Sequence, residues 1–138
     1  ESRPLLTALR DGLWQTGLIF WYTLTAFGEL LQSIFLHARI PAGVAGPVGI
    51  FSVAQETGKL GLIYLVQLLA LISINLSVLN LIPFPALDGG RLFLVAVEKI
   101  KGSPVSTRVE AFLNGLGFAF LMLLFLGITV NDIVHLFR

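Results

Sequence analysis

The chain has 138 residues, 56% hydrophobic and 12% charged, with a mean hydropathy of +0.89. A soluble domain carries about 25% charged residues, so this composition belongs in a membrane. A net charge of +1 offers nothing to a nucleic acid, and the absence of cysteine excludes disulfides and thiolate metal sites. The sequence opens Glu-Ser-Arg, its only methionine is Met122, and no basic region with a short apolar core stands at its start. It therefore reads as a piece of a longer protein rather than as one led by a signal peptide.

In chain order, the first block runs from Asp11 to Leu36. Its charge-free part, Gly12–Gly28, has 17 residues, and Glu29 follows within the apolar pattern. At 100° per residue, Asp11, Gln15, Tyr22, Thr25, Glu29, Gln32 and Ser33 gather on one side of a helix. A wide apolar surface with one polar stripe and two tryptophans, Trp14 and Trp21, suits a helix at the membrane interface. A tilted spanning helix with its stripe turned to protein is the competing reading. Arg39–Ile50 is dense in Gly and Pro and reads as a loop. Phe51–Lys59 reads as a short helix with Ser52 as N-cap.

Leu60–Ile82 is 23 residues of apolar sequence, about 34 Å as a helix and enough to cross a hydrocarbon core of about 30 Å. Gln67 and Asn75 within it read as hydrogen-bonding contacts between helices. Arg91–Lys101 reads as an amphipathic helix with Leu92, Val95, Ala96 and Ile100 at helical spacing. It is stopped by Lys101-Gly-Ser-Pro104, and Ser106 or Thr107 can cap a second spanning helix built on Ala111–Asn131. The expected fold is an all-α membrane protein: two spanning helices, an N-terminal helix that is amphipathic or spanning, and a proline-broken segment carrying Asp88. Residues 1–45 form a helical segment and loop, and residues 46–138 form the C-terminal membrane part. Arg91, Lys99, Lys101 and Arg108 are four of the nine basic residues, so the loop 91–110 is expected on the cytoplasmic side. Arg39 and Lys59 on the opposite side dilute that signal.

The most informative stretch is Asn80-Leu-Ile-Pro-Phe-Pro-Ala-Leu-Asp88-Gly-Gly-Arg91. Asp88 ends a run of 28 uncharged residues, Leu60 to Leu87. A carboxylate at bilayer depth costs about 2.5–3.5 kcal/mol and calls for a chemical reason. A carboxylate oxygen is a good zinc ligand, and beside a dication it is stabilised. Pro83 and Pro85 remove backbone donors and disfavour αR for the residues before them, so the segment should unwind or bend. Non-helical backbone in a membrane is tolerated where it packs in protein or lines a wet cavity. Gly89 and Gly90 allow close approach or unusual dihedrals. The plainer reading makes Leu-Asp-Gly-Gly an interfacial turn in which Asp88 caps the next helix.

The pattern Asn-x-x-Pro-x-Pro-x-Leu-Asp-Gly-Gly resembles the second signature of the site-2 protease family, the intramembrane zinc metalloproteases. Gly46-Pro47-Val48-Gly49-Ile50 and Glu98-Lys-Ile-Lys-Gly-Ser-Pro104 look like its bacterial regulator-of-sigma-E protease branch. The resemblance is dense from Gly46 to about Glu110. It implies that Asp88 is the third zinc ligand, and that Asn80, Pro83 and Pro85 hold an unwound substrate strand. Without the family, Asn80 reads equally well as a helix–helix contact, sharing a face with Ser73 and Ser77. The implied reaction is peptide hydrolysis within the bilayer of a bacterial inner membrane. Its substrates would be single-pass proteins of the anti-sigma-factor type, already cut once outside the membrane. Zinc would activate water, and the glutamate of an H-E-x-x-H motif would shuttle protons.

The chain departs from the family in one respect that matters. It contains no H-E-x-x-H; its two histidines, His37 and His135, lack the partners at that spacing and read as interfacial surface residues. Glu29 belongs to the polar stripe. The peptide-binding modules that the family places before the first block are likewise outside this sequence. No catalytic residue is expected in this chain alone, no properly bound zinc and no cleavage. Its partners would be membrane lipid, the N-terminal part of the same protease and the substrate. The rival readings are a non-catalytic transporter-like module in which Asp88 coordinates an ion or proton, and a scaffold that has lost its histidines.

Overall fold

The computed structural model describes residues 4–138, and every element among them is helical. Helix α1 spans Leu5–His37, α2 Pro47–Leu60, α3 Leu62–Leu81, α4 Asp88–Lys101 and α5 Thr107–Leu136. Three of these, α1, α3 and α5, are long and apolar enough to cross a membrane.

Helix α1 runs unbroken for 33 residues because nothing between Leu5 and His37 breaks it: no proline, and glycines only singly. It closes where Ala38 turns left-handed, with the N–H groups of Ala38 and Arg39 donating back to the Ile34 and Ser33 carbonyls (3.1 and 3.4 Å). Helix α2 starts four residues before the expected Phe51, and Ser52 lies inside it rather than at its cap. The reason is Pro47, which takes the first helical position with φ already set and no N–H to satisfy. Gly61, at φ 127° and ψ 164°, breaks α2 from α3 in a conformation only glycine adopts readily. Pro83 then ends α3 by holding Ile82 extended (φ −62°, ψ 134°).

Helix α4 begins at Asp88, three residues ahead of the expected Arg91, and ends at the left-handed Gly102. The Glu98 carboxylate accepts the Val105 N–H at 2.8 Å and holds the bend into α5. Ser106 stands at the N-cap of α5, but its side chain makes no capping bond; the Glu110 N–H donates to its backbone oxygen instead.

Helix α1 packs on α3, α2 on both α3 and α5, and α4 on α3. Between α1 and α3 the Thr23 hydroxyl donates to Asn75 Oδ1 at 2.6 Å, which is the inter-helix role expected of Asn75; Gln67 is exposed. Phe120 of α5 stacks on Phe35 of α1 and tilts against Phe84, at ring separations of 6.0 and 5.7 Å. Among the described residues only Leu30 and Val78 are buried apolar side chains. The surface is 10766 Å², against about 7,000 Å² for a compact soluble chain of this mass. The apolar faces therefore meet lipid or further protein rather than one another.

Candidate functional site

The sharpest turn in the chain links α3 to α4. The Phe84 N–H donates to the Ile82 carbonyl (2.7 Å), and the Leu87 N–H to the Phe84 carbonyl (3.1 Å). Ala86 adopts a positive φ of 75°. A methyl group on Gly89 would overlap the Leu81 and Ile82 carbonyl oxygens, and one on Gly90 the Phe84 carbonyl oxygen. The paired glycines thus let α4 fold back directly onto the backbone of the broken segment. Helix α5 completes the packing: Gly117 lies against the Pro85 carbonyl, where no side chain fits, and Asn114 Oδ1 accepts the Ala86 N–H at 3.1 Å.

Asp88 opens α4 with its side chain exposed. The capping position is Leu87, and no side chain makes a capping bond there. The plainer reading, with Asp88 as the cap of the next helix, is not what the chain does. Its carboxylate instead faces an open cleft of about 300 Å³ lined by Ala86, Leu87, Asp88, Arg91, Asn114 and Phe118. Asn80, Pro83 and Pro85 do not line this cleft. Asn80 is exposed on the last turn of α3 beside Pro83, while Pro85 is half-buried under Gly117. Ser73, Ser77 and Asn80 are all exposed, and the Ser77 hydroxyl is spent on the Ser73 carbonyl of its own helix (2.8 Å). Within this chain that polar face packs against no other helix.

A catalytic zinc takes three protein ligands and keeps one open position. Among the described residues no three His, Cys, Asp or Glu side chains come together as such a set. His37 and His135 are exposed in the last turns of α1 and α5 and border other clefts. By itself the chain does not fit zinc, and Asp88 is its one donor at the proline-broken turn.

One carboxylate escaped the sequence reading. Asp132, only 8% exposed near the end of α5, accepts the Gly46 N–H at 2.8 Å and the Gly49 N–H at 3.0 Å on a single oxygen. These donors belong to the N-cap and third positions of α2, the pair that a capping box satisfies from within its own helix. Here the acceptor comes from another helix. A methyl on Gly46 would lie 2.6 Å from Ile128 Cγ2 and 2.7 Å from Asp132 Oδ2. The available signal was a lone acid ending a second charge-free block, opposite a Gly-Pro-x-Gly turn. Asn114 and Asp132 are 18 residues apart, five turns at 100° per residue, so one face of α5 carries both anchors.

A broken membrane helix that turns back on paired glycines to expose one acid defines an intramembrane metalloprotease framework. The match to known proteins is specific: the model for peptidase family M50 covers residues 3–124, and the chain belongs to that family, the site-2 proteases. It is 49% identical over 136 residues to the regulator of sigma-W protease RasP of Bacillus subtilis, covering 99% of this chain and 31% of that protein. It is 42% identical over 133 residues to the zinc metalloprotease RasP of Bacillus licheniformis, covering 96% of this chain and 31% of that protein. The regulator of sigma E protease of Haemophilus influenzae is 36% identical over 132 residues, covering 96% and 29%. The chain thus spans less than a third of the length of these relatives.

Proposed function

We propose that this chain is the C-terminal membrane part of an intramembrane zinc metalloprotease and supplies Asp88 as one zinc ligand. The observation that carries this reading is the Asp88 turn. An acid that neither caps its helix nor pairs with a cation, among the described residues, is held at a proline-broken helix end beside an open cleft. The remaining ligands and the general base would come from an H-E-x-x-H motif elsewhere in the intact protein. Zinc bound there supplies Lewis acidity and an acidified water. Asn80, exposed on the last turn before Pro83, would offer its amide to an unwound peptide strand, and Pro83 and Pro85 leave backbone carbonyls without helical partners for the same purpose. Residues 1–45 form an accessory helical segment on the motif-bearing part, 46–138.

The relatives' names support a substrate of the anti-sigma-factor type, a single-pass membrane protein cut in the bacterial inner membrane, with loop 91–110 on the cytoplasmic side. In the full-length enzyme Asp88→Asn is expected to abolish cleavage and lower bound zinc while leaving accumulation in the membrane intact. Unchanged cleavage and zinc content would remove Asp88 from the metal shell.

A further inference from the structure

We infer that Asn114 is a positioning residue for Asp88: from α5 it holds the Pro85–Ala86 turn in the left-handed geometry that presents the acid to its cleft. The inference rests on the reading of Asp88 as a metal ligand, and its structural half stands apart from that reading. Ala86 and Ala38 are the two non-glycine residues with positive φ among those described. Ala38 merely closes α1, but Ala86 sits two residues before the acid. A residue with a Cβ persists in the left-handed region only where its surroundings over-determine it. What over-determines Ala86 comes from 28 residues away. Its N–H donates to Asn114 Oδ1 at 3.1 Å. One turn further along the same face, Gly117 lets α5 close onto the Pro85 carbonyl.

Asn114 also borders the cleft that Asp88 faces. Nothing else at the turn can substitute for it, because the local bond from the Leu87 N–H to the Phe84 carbonyl closes the loop without touching Ala86. Without the amide oxygen, Ala86 is free to relax to negative φ. The chain direction would then change immediately before Asp88, and the carboxylate would move relative to any ligands fixed on other helices. Small displacements of a metal-binding oxygen are costly because zinc coordination is short and tetrahedral.

The test uses the intact protease, with Asn114→Leu to remove the acceptor at similar volume and Asn114→Asp to keep an oxygen there. Asn114→Leu combined with Ala86→Gly lets residue 86 hold positive φ unaided, and Asp88→Asn is the parallel control. Asn114→Leu is expected to lower kcat at least tenfold with KM within twofold. It should also speed amide hydrogen exchange across residues 84–90 at least tenfold. Asn114→Asp should stay within threefold of the parent on both measures, and Ala86→Gly should recover most of the loss. Parental kcat and exchange in Asn114→Leu would overturn the inference, as would a loss that neither Asp at 114 nor Gly at 86 repairs. Full activity of Asp88→Asn would instead overturn the metal-ligand reading, and the exchange data would then judge the turn alone. Should Asn114→Leu fail to accumulate, Gly117→Ala presses on the same turn from the same face. Parental kcat and exchange in that variant would equally overturn the inference.

Discussion

Removing the Asp132 carboxylate should loosen the start of α2 by an amount that can be worked from its two hydrogen bonds. Asp132→Ala leaves the Gly46 and Gly49 N–H groups, now held at 2.8 and 3.0 Å, without an acceptor. A buried donor left unmade costs about 1–3 kcal/mol, and an acid at a helix N-terminus adds about 0.3–1 kcal/mol. Asn131, Asp132 and His135 border an open cleft, so water can reach the exposed donors and the lower half of the range applies. The expected loss is about 2–3 kcal/mol, or about 30- to 150-fold at 1.4 kcal/mol per decade. Hydrogen exchange measured by mass spectrometry in detergent micelles, on the segment 44–52, reads this directly. Asp132→Asn keeps one acceptor oxygen and should lose about 1 kcal/mol. Gly46→Ala should mimic the alanine variant by pushing the carboxylate away. Exchange in Asp132→Ala within threefold of the parent would refute the reasoning, because it would mean that the bonds hold nothing.

Two further outcomes follow from the geometry. Gly90→Ala places a methyl against the Phe84 carbonyl and should cost about 1–3 kcal/mol by overpacking, read as a lower melting temperature by far-UV circular dichroism. A parental melting temperature would show that α4 does not close onto the broken segment. Single cysteines along Gly12–Leu36 should label with one periodic face if α1 lies at the interface. A continuous protected stretch with ends reactive from opposite sides would mean that it crosses.

Much of the fold was legible because a membrane enforces simple rules. Unbroken apolar runs must be helical to satisfy their backbone, so α3 and α5 followed from Leu60–Ile82 and Ala111–Asn131, and Pro83 and Pro85 announced the break between α3 and α4. The Asp88 motif was legible for the same reason, as an acid that an apolar run has no cause to carry. Helix starts were less so. Helix α2 begins at Pro47 rather than Phe51, because its first-turn donors are met by an acid 86 residues further on, which no local pattern of caps can reveal.

What the sequence by itself determined, then, is the helical class, the membrane setting, and the position and chemical identity of the acid that carries the family resemblance. What only tertiary structure decided is how that acid is held. The left-handed turn at Ala86 depends on Asn114, the close return of α4 depends on carbonyls that Gly89 and Gly90 leave room for, and the start of α2 depends on Asp132. Each is a contact between residues far apart in the chain. Hydropathy and spacing report what a segment does with its immediate neighbours and its solvent. They carry no record of which distant side chain will supply the bond that a turn or a helix end lacks.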